Sequence, residues 1–160
     1  LRVHGGERRY YHSEVGVNSR LDALQAAVLS LKLRYLESWH LARATNATIY
    51  NELFSGFDGD TVVTPKGCAS PARHVWNQYI LRVRGGKRDA LKEHLAEQGI
   101  GTDIYYPVPM HMQECFKHLP SNSLSCTESA ALETIALPIF AELTEEQVRR
   151  VASVITDFLT

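Results

Sequence analysis

Apolar side chains recur at steps of three and four over the first third of the chain. Leu21, Leu24, Val28, Leu31 and Tyr35 fall on one face of a helix. The pattern continues through Leu36, Trp39, Ile49, Tyr50 and Leu53 until Gly56 and Gly59 stop it. Asn18 or Ser19 is placed to cap the start, and Ser19 with Asp22 resembles a capping box. Such a span, roughly 33 residues, would measure about 50 Å. That exceeds what a small domain needs, so the helix is expected to bridge two domains or line an oligomer contact. Residues 1–17 hold no sustained period and carry Gly5, Gly6 and Gly16, which reads as an irregular lead-in.

The remainder alternates short elements. Asp60 to Gly67 leans toward strand, with Thr61, Val62, Val63 and Thr64 ending at Pro65, and residues 68–74 read as a loop. Val75 to Val83 predicts a strand with Val75, Tyr79, Leu81 and Val83 on one face and Trp76 and Ile80 on the other. Gly85-Gly86 closes it, and a helix over Arg88–Gln98 is stopped by Gly99. Ile100 to Tyr106 predicts another short strand, after which Pro107 and Pro109 force irregular backbone. His111–His118 suits a helical turn or two, Thr127–Thr134 a short helix, and Ile135–Leu137 a strand ending at Pro138. Thr144 and Gln147 form a capping box ahead of a helix whose stripe is Val148, Val151, Ile155 and Phe158. One long helix followed by mixed strands and helices predicts an α+β domain.

Composition narrows the picture. At 160 residues, 44% hydrophobic and 22% charged, the chain suits one soluble globular domain with a substantial core. A formal net charge of -1 gives no field that draws it toward nucleic acid or anionic membrane. It holds no run of about 18 apolar residues that would span a bilayer. The start, Leu1-Arg2-Val3-His4-Gly5-Gly6, has neither a signal-peptide core nor an initiator methionine and reads as cut from something longer. Cys68, Cys115 and Cys126 are odd in number and form no CxxC pair, which favours a reducing cytoplasm over a disulfide framework.

Two stretches bear candidate chemistry. In Gly16-Val17-Asn18-Ser19-Arg20-Leu21-Asp22 an amide, a hydroxyl and a guanidinium gather at the expected helix N-terminus. Free N–H groups and the dipole there favour a phosphate or carboxylate, although an ordinary cap beside a surface arginine is the plainer account. In Tyr105 to Gln113, two phenols, two prolines and the His111 imidazole share a stiff loop that suits a ligand pocket or, more simply, a plug for the core edge. If the chain is extended, Tyr105 and Tyr106 point oppositely and only one faces a ligand. A rival chemistry is metal binding: His111, Cys115 and His118 would share a helix face, with Cys126 as a fourth ligand. That spacing matches no common zinc pattern, and Cys115 beside Phe116 reads more simply as a buried apolar residue.

These residues also carry a resemblance. G-x-N-S-R-L-D at 16–22, with Gln25-Ala26-Ala27 and Leu31-Lys32-Leu33, resembles the motif of the DegT/DnrJ/EryC1/StrS sugar aminotransferases. His74-Val75-Trp76-Asn77-Gln78-Tyr79, Gly99-Ile100-Gly101-Thr102, Tyr105 to Gln113 and Leu137-Pro138-Ile139 resemble later blocks of that family in the same order. Leu1 to Gly5 with Tyr11-His12 resembles its approach to the motif. The resemblance implies the C-terminal portion of a pyridoxal-phosphate-dependent nucleotide-sugar aminotransferase of aspartate-aminotransferase-like fold. Residues 1–19 would end the large catalytic domain or lead in, and 20–160 would form the small domain, a long helix plus a small, mostly antiparallel sheet flanked by helices. It implies a homodimer in which Asn18 reaches the cofactor phosphate of the other subunit. Arg20, Tyr105, Tyr106 and His111 would meet the substrate, and glutamate would donate the amino group.

One part of the family pattern is missing. Its cofactor-anchoring lysine and the acid that pairs with the pyridinium lie upstream of the G-x-N motif. The five lysines here, Lys32, Lys66, Lys87, Lys92 and Lys117, stand in no matching context. The chain alone is therefore expected to be inactive and to hold no covalent cofactor. The alternative is a free-standing, non-catalytic module for dimerisation or sugar-nucleotide binding, and exposure of the Leu21, Leu24, Val28, Leu31 face would favour it.

Overall fold

The computed structural model describes residues 6–8, 11–12, 14–19, 21–69, 72–116, 118 and 123–160. The chain divides into two compact units, Leu1–Glu37 and Ser38–Thr160.

The first unit opens with two short strands, β1 (Gly6–Arg8) and β2 (Tyr11–His12), paired antiparallel with Gly6 opposite His12 and Arg8 opposite Tyr11. The expected irregular lead-in thus contains a small hairpin, too short for a period-two pattern to announce it. Helix α1 spans Ala23–Lys32. Its cap is Asp22, where the sequence pointed to Asn18 or Ser19: Asp22 is extended (φ -63, ψ 137) and its carboxylate accepts from the Leu24 N–H at 2.9 Å. A carboxylate at this position satisfies one of the orphan donors of the first turn and complements the dipole. No residue of α1 is buried; Leu24 is 76% and Val28 48% exposed.

A 3-10 turn, Leu33–Tyr35, separates α1 from helix α2 (Leu36–Leu53). The single long helix of the sequence reading is therefore divided where the Leu36 N–H closes on the Leu33 carbonyl, one residue tighter than an α-helical bond.

The second unit is built on a three-stranded antiparallel sheet of β3 (Val62–Val63), β4 (Tyr79–Val83) and β5 (Thr134–Leu137), with β4 in the middle. Tyr79 lies opposite Leu137 and Leu81 opposite Ile135. Alternation along β4 buries Tyr79, Leu81 and Val83 completely, as the sequence pattern requires of a half-covered sheet. The strand starts at Tyr79 and not at the expected Val75. Trp76 adopts φ 50, outside the extended region, and this breaks the strand before the pairing begins.

Helices α3 (Arg88–Glu97), α4 (Ser125–Glu133) and α5 (Glu145–Leu159) complete the unit; α3 packs on α5 and β5, and α4 packs on β4. Tyr50 of α2, Phe54 just beyond its end, Leu91 and Leu95 of α3, and Val148, Val151 and Ile155 of α5 join the sheet residues in one core. Each such side chain contributes about 1.5–3 kcal/mol by leaving water. Gly99 takes φ 72 after α3, so the Ile100 N–H returns to the Leu95 carbonyl at 2.8 Å and the Gly99 N–H to Ala96 at 3.0 Å. Only glycine adopts that conformation freely, and Ile100 then packs back into the core. The Thr144 capping box is present in full, with Gln147 as its reciprocal member.

The Asn46 and Tyr50 side chains are satisfied by carbonyls in the segment that follows β5. Asn46, buried on α2, donates to Phe140 and Leu143, both at 3.1 Å, and the Tyr50 hydroxyl donates to Pro138 at 3.1 Å. These bonds tie α2 to the turn between β5 and α5. The expected strand over Ile100–Tyr106 reduces to a single bridge, Asp103 with Ala136, because the chain turns irregular before a ladder can form. That bridge sets the start of the loop that carries the candidate site.

Candidate functional site

The loop after Asp103 forms one wall of a cleft of about 680 Å³, and α4 with the first residue of β5 forms the other. Tyr105, Tyr106, Pro107, Pro109 and His111 face Leu124, Thr127, Ala131 and Thr134 across it. Two 3-10 turns, Met110–Met112 and Glu114–Phe116, carry the loop onward, and the Gln113 side chain braces it by donating to the Val108 carbonyl at 3.3 Å. The prolines fix φ and remove two donors, which stiffens the wall without a ladder.

Both tyrosines line the cleft. The expectation that only one would face a ligand assumed a strand, and the stretch is not one. Their rings stand edge to face at 6.0 Å and 71°. Tyr105 is 41% exposed and Tyr106 75%. The Tyr105 hydroxyl donates to the Asp103 carboxylate. Asp103 lies below the usual carboxylate range, mainly because it accepts from the Ile104 N–H at 2.8 Å and then from Tyr105. The same bond and the negative charge of Asp103 raise the Tyr105 phenol. Tyr105 thus has the Asp103 carboxylate as its neighbour, whereas Tyr106 presents the more exposed hydroxyl and ring face.

His111 is half-buried, and its Nε2 meets the Glu128 carboxylate at 3.1 Å. That carboxylate also accepts from the Leu124 N–H at 2.8 Å and lies within 3.4 Å of the Ser123 hydroxyl. These partners, Leu124 first, hold Glu128 below its ordinary value, so it is ionised at neutral pH and can only accept. Sequence reasoning singled out His111 and missed Glu128. Seventeen residues separate them, and a glutamate in a short helix carries no local signal.

The metal alternative finds no support in this geometry. The spacing of His111, Cys115 and His118 needs a continuous helix, and the chain forms short 3-10 turns there instead. No group of three candidate ligands converges among the described residues. Cys115, read as a buried apolar residue, is exposed, because the 3-10 turn carrying it buries none of its residues.

A second, smaller cleft of about 350 Å³ opens beside Asn77, Gln78, Thr102, Asp103 and Ile139. Tyr105 borders both. Asn18 belongs to the first unit and is exposed. The N-cap of α1 is Asp22, four residues beyond Asn18. Arg20 lies outside the described residues.

Pyridoxal phosphate needs an amine for covalent attachment as well as donors for its phosphate. Lys32, Lys66 and Lys87 are exposed, Lys92 is half-buried near Asp103, and none of them lines either cleft. Lys117 lies outside the described residues. The described residues therefore do not by themselves fit that group.

Among known proteins the chain is 44% identical over 160 residues to a pleiotropic regulatory protein of Geobacillus stearothermophilus, covering 99% of this chain and 42% of that protein. It is 37% identical to a UDP-N-acetyl-3-dehydro-alpha-D-glucosamine 3-aminotransferase of Acidithiobacillus ferrooxidans, covering 97% of this chain and 40% of that one. The solved structure of S. venezuelae DesV superposes with a TM-score of 0.89 at 34% identity, over 99% of this chain and 42% of that one. The chain thus spans about two fifths of the length of its relatives. The family model for the DegT/DnrJ/EryC1/StrS aminotransferases matches residues 1–156, and the chain belongs to that family.

Proposed function

We propose that this chain supplies the substrate-facing small domain of an aminotransferase that moves an amino group, with glutamate as donor, onto the keto group of a nucleotide-linked sugar. The observation that carries this reading is the meeting of Tyr105, Tyr106 and His111 in one cleft of about 680 Å³. Its walls are mostly apolar, with hydroxyl and imidazole groups placed among them, which suits a ring bearing several hydroxyls. Tyr106 would stack on or donate to the ligand, and His111 would take a hydroxyl hydrogen bond.

The remaining roles rest on the family resemblance. Asn18 would reach the cofactor phosphate of a second subunit in a homodimer, and Arg20 would contact the sugar. Residues 1–19 would finish the catalytic domain and 20–160 would form the small one. Pyridoxal phosphate would be anchored by a lysine outside this chain, so the chain alone would be inactive. The setting would be cytoplasmic synthesis of polysaccharide or glycan precursors; among the described residues no helix is long and apolar enough to cross a membrane.

The test is a titration of the 160-residue chain with UDP-N-acetylglucosamine, followed by amide shifts, with UMP as control. Saturable shifts confined to Tyr105–Gln113 and α4, weakened in Tyr106→Ala, are expected. Shifts confined to the cleft beside Asn77 and Thr102, or none, would remove the reading.

A second reading has an observation of its own. Leu24, Val28 and Leu31 of α1 are all exposed, which favours a module whose role is self-association. A sedimentation profile that stays monomeric at high concentration would exclude it.

A further inference from the structure

His111 of the cleft makes a contact with a carboxylate outside its lining, Glu128, that the binding proposal leaves unused. Glu128 Oε1 faces His111 Nε2 at 3.1 Å while accepting the Leu124 N–H at 2.8 Å. We propose that Glu128 is a positioning residue: it fixes the proton of His111 on Nε2 and aligns the ring, so that Nδ1 is the nitrogen offered to a substrate hydroxyl. The proposal deepens the sugar-binding reading and rests on it for the identity of the ligand.

Three features of the site lead to this assignment. An ionised carboxylate has no proton to give, so the hydrogen bond to His111 runs one way, from Nε2–H to oxygen. That choice makes Nδ1 the lone-pair nitrogen of the neutral ring. The Leu124 N–H is a fixed backbone donor at the head of α4, so the carboxylate itself has little freedom to turn. The contact also joins two elements, from the 3-10 turn holding His111 to α4, so the imidazole is oriented by a helix other than its own turn. An imidazole held by a carboxylate on one nitrogen presents the other with a defined role, the arrangement by which orienting partners sharpen binding groups generally.

A simpler structural role would have Glu128 only pin the loop to α4. The two differ in what happens at the ring. In Glu128→Gln the amide oxygen still accepts from Leu124, so the helix start is kept, but the side chain no longer forces a donor at Nε2. Long-range proton–nitrogen NMR of His111 in the 160-residue chain reads the tautomer directly, without any ligand. The Nε2–H form should dominate in the natural chain and give way to a mixture in Glu128→Gln, with the melting temperature checked in parallel. A dominant Nδ1–H form, or a tautomer unaffected by Glu128→Gln, would overturn the proposal.

The binding arm uses UDP-N-acetylglucosamine. Glu128→Gln should weaken binding roughly two- to tenfold, about one net hydrogen bond. The double variant Glu128→Gln, His111→Ala should bind no worse than His111→Ala alone. An additive loss would mean that Glu128 acts independently of His111 and would sink the positioning role. If the tautomer responds as stated but no variant, nor the natural chain, binds the nucleotide sugar, the sugar-binding reading fails while the control of the imidazole by Glu128 stands.

Discussion

The buried guanidinium of Arg88 donates to the carbonyl of Thr134 at 2.9 Å, linking the head of α3 to the start of β5 across 46 residues. A second donation, to the Ala131 carbonyl at 3.0 Å, catches the last turn of α4. One side chain thus satisfies carbonyls at the junction where α4 becomes β5, the junction that fixes one wall of the cleft. Helix ends leave such carbonyls unpaired, and a cation there also complements the dipole.

Arg88→Met should therefore cost about 2–4 kcal/mol, because the apolar replacement fills the space and leaves buried carbonyls without donors. Arg88→Lys should recover only part of that loss, since one guanidinium nitrogen serves both carbonyls while Nε holds Asp89 at 2.6 Å, and a lone ammonium cannot do both. Urea unfolding of the three proteins would decide the matter. Equal midpoints for natural chain and Met variant would show that water replaces the guanidinium at no cost.

The last helix offers a paired comparison. Thr144→Ala removes the side-chain acceptor for the Gln147 N–H and should cost about 1 kcal/mol. Ile155→Ala empties a fully buried position of the core and should cost about 2–5 kcal/mol. Calorimetric melting would rank them, and a cap variant less stable than the core variant would contradict the view that packing, more than capping, holds α5.

Acid sensitivity follows from three carboxylates held below their ordinary values. Glu128 is lowered mainly by the Leu124 N–H, Asp103 mainly by the Ile104 N–H, and Asp58 mainly by the Thr61 hydroxyl and then by the Thr61 N–H, which it meets at 2.7 Å. A depressed folded value means the native state holds the carboxylate charged more tightly than the unfolded chain does. The stabilisation is then fully present above the unfolded value, 4.5 for Glu128 and 3.8 for the aspartates, and is lost as pH falls through the lower folded values. Stability measured from pH 6 to pH 2 should decline below about pH 4.5. Glu128→Gln should flatten the upper part of that decline and Asp58→Asn the lower part; identical profiles in all three chains would reject the assignment.

Much of this molecule was legible in advance because its signals are local. The period of α5, its Thr144–Gln147 box, the Gly99 stop and the alternation of Tyr79, Leu81 and Val83 each depend on residues close in sequence. The errors arose where a long-range contact or an unusual dihedral decides. The Trp76 φ of 50 shortens β4, and nothing in the pattern before it announces that conformation. Asp22 takes the cap because its backbone is extended, although Asn18 and Ser19 offered equally good cap chemistry. In the cleft, the cluster of Tyr105, Tyr106 and His111 could be read from one loop, whereas Glu128 and Arg88 act across the fold and could not.

Cofactor attachment gives the most direct check on the division of labour between this chain and the rest of its family's sequence. A reactive amine must be held in a cleft with its charge suppressed, and the described lysines are exposed or, in the case of Lys92, set near the Asp103 carboxylate. An ammonium is a poor nucleophile toward an aldehyde. Pyridoxal phosphate added to the purified chain should therefore give weak labelling spread over several lysines, without saturation. Borohydride reduction followed by peptide mapping would show the distribution. A single lysine labelled stoichiometrically at low cofactor concentration, and abolished in its arginine variant, would place the anchoring chemistry within these 160 residues after all.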